Sequence, residues 1–99
     1  MRYKLISINP SHRKDKKYMA VFHDTQKDDY ITTHFGAKGM SDYILSGGDD
    51  EKKKKYIARH QKNENWNDPT TPGALSRWIL WNLPTLKDSI KDFKKRFDL

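Results

Sequence analysis

Three β-rich runs inside the first 35 residues constrain this chain more than any other feature. Residues 2–8 (RYKLISI), 17–23 (KYMAVFH) and 29–35 (DYITTHF) are dense in β-branched and aromatic side chains. Such residues suit a pleated, half-buried surface. Asn9-Pro10-Ser11 and the basic segment HRKDKK separate the first two runs, and the polar turn DTQKDD separates the last two. Connections this short favour antiparallel pairing, because a parallel pair needs a crossover of a dozen or more residues. The pattern therefore predicts a three-stranded meander. In the second run Tyr18, Ala20 and Phe22 fall on one face, and Met19, Val21 and His23 on the other.

Beyond residue 48 the punctuation changes to that of helices. Asp49 or Asp50 is placed to cap a helix, and Asp50 and Glu51 stand where the macrodipole favours negative charge. The run KKKKYIARHQKNE is helix-compatible to about residue 64, with a thin semi-apolar stripe of Lys53, Tyr56, Ile57 and His60. Thr71 caps a second helix, with Pro72 at its first position, where a missing N–H costs nothing. Leu75, Trp78, Ile79 and Asn82 then share one face of PGALSRWILWN, Trp81 points elsewhere, and Pro84 ends the helix. Thr85-Leu86-Lys87-Asp88 resembles a capping box. The helix it opens has the clearest amphipathic pattern in the chain, with Leu86, Ile90, Phe93 and Phe97 as the buried stripe. The fold class expected is α+β: a three-stranded antiparallel sheet followed by two or three C-terminal helices packed on it.

The core must be small. Apolar residues make up 34% of the 99, and a single domain spanning 1–99 buries only about 60–65% of its unfolded surface. Three Trp, five Tyr and four Phe supply much of that core and argue against disorder. The absence of cysteine excludes disulfides, thiolate metal sites and a cysteine nucleophile. The N-terminal segment has no apolar run of signal-peptide type, and no stretch is long and apolar enough for membrane insertion. The formal charge is +7, which attracts polyanions.

Four features carry candidate chemistry. Gly36-Ala37-Lys38-Gly39 leaves the third strand as a turn whose amides, with Lys38, form a possible anion nest. It lacks the Gly-Lys-Ser/Thr order of a phosphate-binding P-loop. From 52 to 62 the chain carries six positive charges and no acid. There Lys55, Arg59 and Lys62 share a helical face, and Lys52 and His60 lie beside them. His34, Asp42, His60 and Asn63 are residues from which a ββα-type metal-dependent nuclease could in principle assemble, and their spacing matches no recognised metal motif. Trp66, in a polar loop, and Trp81 are candidates for stacking or for contact with a partner.

The segments KYMAVF, HFGAKGMSDY, YIARHQKNENW and GALSRWILWNLPTLKDSIKDFKKRF, from Tyr18 to Phe97, resemble a small uncharacterised protein family of large nucleocytoplasmic DNA viruses. The motifs HFGAKGMSDY, RH-x-x-NENW and LSRWILWN carry the likeness. The chain departs from the expected pattern after Asp42-Tyr43, where Ile44-Leu45-Ser46-Gly47-Gly48 replaces a Thr and a further polar residue. The resemblance implies a viral setting, in the virion or in the nucleus or viral factory of an infected cell. It implies no catalytic residue. The sequence thus points to a non-enzymatic nucleic-acid-binding protein that needs no cofactor or metal. It would contact phosphates through Lys38, Lys52, Lys55, Arg59, His60 and Lys62 with low sequence specificity, with DNA preferred to RNA as partner, in genome compaction or packaging. A virion structural or adaptor protein docking on other virion proteins is the alternative, and the metal-dependent nuclease a second.

Overall fold

The computed structural model describes residues 2–99. It opens with three strands, β1 (Tyr3–Pro10), β2 (Lys16–Asp24) and β3 (Asp29–Ala37), paired antiparallel in chain order. Helix α1 (Asp50–His60) follows. A short helix α2 (Pro72–Leu75) then widens into a π-helical turn over Ser76–Leu80, and α3 (Leu86–Phe97) closes the fold. The architecture is the α+β arrangement that the pattern predicts. No helix among the described residues is long and apolar enough to cross a membrane.

The alternation in β2 places Ala20 and Phe22 on the core face, both fully buried, while Met19, Val21 and His23 are only half-buried. Cross-strand register carries that face through the sheet: Phe22 stands opposite Leu5 and Ile31, and Tyr18 opposite Phe35. A bulge between Leu5 and Ser7 removes Ile6 from the alternation and leaves it 56% exposed. Asp24, on the core face at the end of β2, is also buried. It is satisfied there by the Arg2 guanidinium at 3.1 Å and by the amides of Gln26 and Lys27 at 3.1 and 3.3 Å. These bonds hold its carboxyl below the usual carboxylate range.

Helix α3 docks on this face as its stripe predicts. Phe93 is fully buried and meets Phe22 edge-on, with ring centres 6.5 Å apart. Leu86, Ile90 and Phe97 pack around the core while half-buried. Ser89, on the same face, is fully buried, and its hydroxyl accepts from the Leu83 amide and donates to the Leu83 carbonyl. The predicted caps form: Asp49 accepts from the amides of Glu51 and Lys52, Thr71 from Ala74, and Thr85 from Asp88.

Two elements differ from the expectation. The helix predicted to run unbroken from Pro72 to Asn82 stops being α-helical at Leu75 and being helical at Leu80. The Trp81 amide reaches back five residues to the Ser76 carbonyl, 3.0 Å away, and Trp81 leaves helical geometry at φ −120, ψ 33. That wider turn shifts the phase of everything after it. Trp81, which an ideal helix turns off the core face, is instead 9% exposed, whereas Trp78 is only half-buried. The second difference is the end of α1 at His60 rather than near residue 64. Glu64 folds back instead. Its carboxylate accepts from the Trp66 indole N–H at 2.9 Å and lies 3.3 Å from His60 Nδ1.

Cations cap the open end of the π turn. Arg77 Nη1 donates to the Trp81 carbonyl and Lys53 Nζ to the Asn82 carbonyl, each at 2.7 Å. Both satisfy acceptors that a helix C-terminus leaves orphaned, where positive charge is favoured. Arg77 lies over the rings of Trp78 and Trp66, 4.2 and 5.5 Å from their centres. Burial lowers the pKa of both cations.

Candidate functional site

The basic residues of α1 acquire their meaning from what faces them. Lys52, Lys55, Arg59 and His60 line one wall of a cleft of about 730 Å³. The spacing is helical, so all four lie on the side of α1 that also carries Tyr56. The opposite wall is the end of the sheet, where Lys16 and Lys17 open β2 and Gly36 and Ala37 close β3. Phe35, Leu80, Trp81 and Tyr56 also line the cleft, and each is at least 91% buried, so they make its apolar floor.

Tyr56 anchors the helix to that floor. It is the one buried residue of α1. Its ring stacks on Trp81 at 4.5 Å and 10°, and on His60 at 4.4 Å and 25°. Trp66 lies nearly parallel to it at 6.4 Å. Burial pushes the Tyr56 pKa well above its ordinary value, so the hydroxyl stays protonated at any physiological pH.

Two acids reach the cleft, and both have partners. Asp42 is 2% exposed and pairs with Lys17 Nζ at 2.5 Å, while Lys17 also donates to the Met40 carbonyl at 2.6 Å. Glu64 is held by Trp66 and His60. Lys16, Lys52, Lys55 and Arg59 have no carboxylate within ion-pair distance among the described residues. The cleft therefore presents four uncompensated cations above an aromatic floor.

Lys38 and Lys62 do not join this group. Lys62 lies beyond the end of α1, so the stripe through Lys55 and Arg59 ends before it. Lys38 is exposed beside a smaller neighbouring hollow of about 320 Å³. The glycine loop is a turn: Gly36 and Gly39 have φ +80 and +90. Its amides are largely spent internally, with Lys38 N–H donating to the Asp15 carbonyl at 3.0 Å and Met40 N–H to Ala37 at 3.2 Å. What the loop does is carry Asp42 to Lys17 and Gly36 against Leu80.

The residues considered for a nuclease are bound up separately. His34 Nδ1 lies 2.8 Å from the Ser11 hydroxyl, Asp42 pairs with Lys17, and His60 faces Glu64. Among the described residues no group of three or more His, Asp or Glu is arranged to hold a metal ion. Of the tryptophans, Trp81 is enclosed in the floor, and Trp66 is held by its bond to Glu64 and by Arg77.

Sequence reasoning missed Lys16 and Lys17 as site residues, although the basic run HRKDKK announces them. It also missed Ser41, Ser76 and the Tyr56 hydroxyl, for which no local signal exists.

A family model described only as a family of unknown function, DUF5754, matches residues 6–60. That is more than half of the chain. The protein belongs to the DUF5754 family. The matched segment contains the sheet except the first three residues of β1, together with the glycine turn and α1, and thus every cationic residue of the cleft on the sheet and on α1. It stops short of the π turn that supplies Leu80, Trp81 and Ser76 to the DUF5754 cleft. No curated protein and no solved structure matches the chain.

Proposed function

We propose that this DUF5754 protein binds nucleic acid through its phosphate backbone, with low sequence specificity and without catalysing a reaction. The observation that carries this reading is the convergence of Lys16, Lys52, Lys55 and Arg59, from two separate elements, on one cleft without acidic partners. Clustered cations release condensed counterions when they meet phosphates, and that release dominates sequence-independent affinity. The formal charge of +7 adds long-range attraction to the same partner. The resemblance to proteins of large DNA viruses supplies the setting: a virion or an infected cell, with DNA as the polyanion to be neutralised and packaged.

Binding to a labelled DNA duplex, followed by fluorescence anisotropy across a salt series, tests this. Four phosphate contacts give a log–log slope near −3.6, at about 0.9 per phosphate. Lys55→Ala should flatten the slope by roughly one and weaken binding about equally on unrelated sequences. Lys38→Ala, outside the cleft, should leave the slope nearly unchanged. A slope near zero, or the same loss from either variant, would refute the assignment of the cleft.

A further inference from the structure

A surface that only neutralises phosphate needs no cavity. This one has a cavity of about 730 Å³, inside the range of sites that enclose most of a small ligand. Its floor is apolar and partly aromatic, while its rim is cationic. The ligand that fits must be flat and apolar at one end and anionic at the other.

The cleft also offers hydroxyls that no protein group occupies. Ser41, Ser76 and Tyr56 are among its lining residues, and the hydroxyl of each has no hydrogen-bond partner among the described residues and stays open to solvent. Hydroxyls that donate and accept equally suit the edge of a nucleobase without selecting one base. Of the two nearby acids, Asp42 is neutralised by Lys17, and Glu64, tied to the Trp66 indole and lying 3.3 Å from His60, is outnumbered by the four cations.

We infer that the partner is a single-stranded nucleic acid that turns one nucleotide into the cleft, its base on the apolar floor beside Trp81 and Leu80 and its flanking phosphates on Lys16, Lys52, Lys55 and Arg59. This rests on the phosphate-binding reading and sharpens it. A duplex keeps its bases stacked and offers the cleft only its backbone. A single strand can splay a base out, and an aromatic surface accepts any base because every base has a π-face. The cations argue for a strand rather than a free nucleotide. Lys52 and Arg59 are seven residues apart, about 10 Å along the helix at 1.5 Å per residue, which reaches beyond one phosphate.

The test compares four probes at one salt concentration: a thymidine 12-mer, the same strand with abasic sites throughout, a duplex of equal length, and free thymidine monophosphate. The 12-mer should bind about tenfold or more tighter than the duplex or the abasic strand, the scale of one stacked base. The monophosphate should bind far more weakly than the strand. Ser76→Leu, which fills the cleft and leaves its cations in place, should lower 12-mer affinity to the duplex level with the salt slope unchanged. A thermal melt checks that this variant is folded, and the abasic comparison needs no variant. Equal affinity for the 12-mer, duplex and abasic strand, with a normal salt slope, would overturn the base-insertion inference and leave phosphate binding standing. Absence of binding to all three would overturn both. Monophosphate binding as tight as the strand would assign the cleft to a small ligand and overturn the inference.

Discussion

Gly36→Ala should destabilise the protein far more than Gly39→Ala, although both glycines sit in the same turn at positive φ. The added methyl at position 36 would lie 2.6 Å from Leu80 Cδ1 and 3.2 Å from Lys17 Cβ. Neither neighbour yields easily: Leu80 is 2% exposed, and Lys17 is fastened at its far end by Asp42 and the Met40 carbonyl. Overpacking of this kind costs about 1–3 kcal/mol. The left-handed conformation at φ +80 adds about 1–2 kcal/mol for any residue with a Cβ. The sum is about 2–5 kcal/mol, against a total stability of about 5–15 kcal/mol for a domain. At Gly39 nothing lies within 4 Å of the added methyl, so only the backbone cost of about 1–2 kcal/mol applies. Urea unfolding followed by tryptophan fluorescence measures both variants on one scale. If the two agree within about 0.5 kcal/mol, the scale of an ordinary surface substitution, then Gly36 is not held against Leu80. The floor of the cleft would then be softer than its packing indicates.

Phe93→Ala removes the fully buried ring at the centre of α3 and should cost about 3–5 kcal/mol; a melting temperature lowered by only a degree or two would contradict the core assignment. Acid should unfold the protein partly through Asp24. Its folded-state pKa lies below the ordinary value of 3.8, so its stabilisation is full above that pH and lost as pH falls through the folded value. Arg2→Met should move the acid midpoint upward, and an unchanged midpoint would remove the Arg2 bond as the cause. His34 is held below 6.5 by burial and then by the His12 and Arg13 charges. Its neutral form is therefore favoured by folding, and its contribution is full above pH 6.5 and falls below it. His34→Gln should flatten the stability profile on the acid side of pH 6.5, and urea titrations at several pH values would show whether it does.

Local signals sufficed for the elements whose stability is local. The strands were legible because β-branched and aromatic residues alternate between polar breaks, and α3 because its apolar residues recur at helical spacing. The caps at Asp49, Thr71 and Thr85 were legible because each needs only one side-chain oxygen and an amide two or three residues on. The basic face of α1 was legible as far as the helix runs. Lys52, Lys55, Arg59 and His60 share a wall for reasons of periodicity alone.

What faces that wall was decided by the tertiary structure. Nothing in the spacing between Lys16 and Lys55 brings them to one cleft; antiparallel pairing puts the start of β2 beside the end of β3, and the Tyr56–Trp81 stack holds α1 across the cleft from them. Trp81 reaches that stack only because the Ser76–Leu80 turn closes at five residues rather than four, a shift of phase invisible to a helical wheel. Lys62 was lost from the site because Glu64 bonds Trp66 and α1 ends at His60. Lys38 was lost because the turn that carries it is bonded to Asp15 and points its lysine outside the cleft. Periodicity tells which residues share a side of one element. Which sides meet depends on how large aromatic surfaces leave water together, and that is a property of the whole fold.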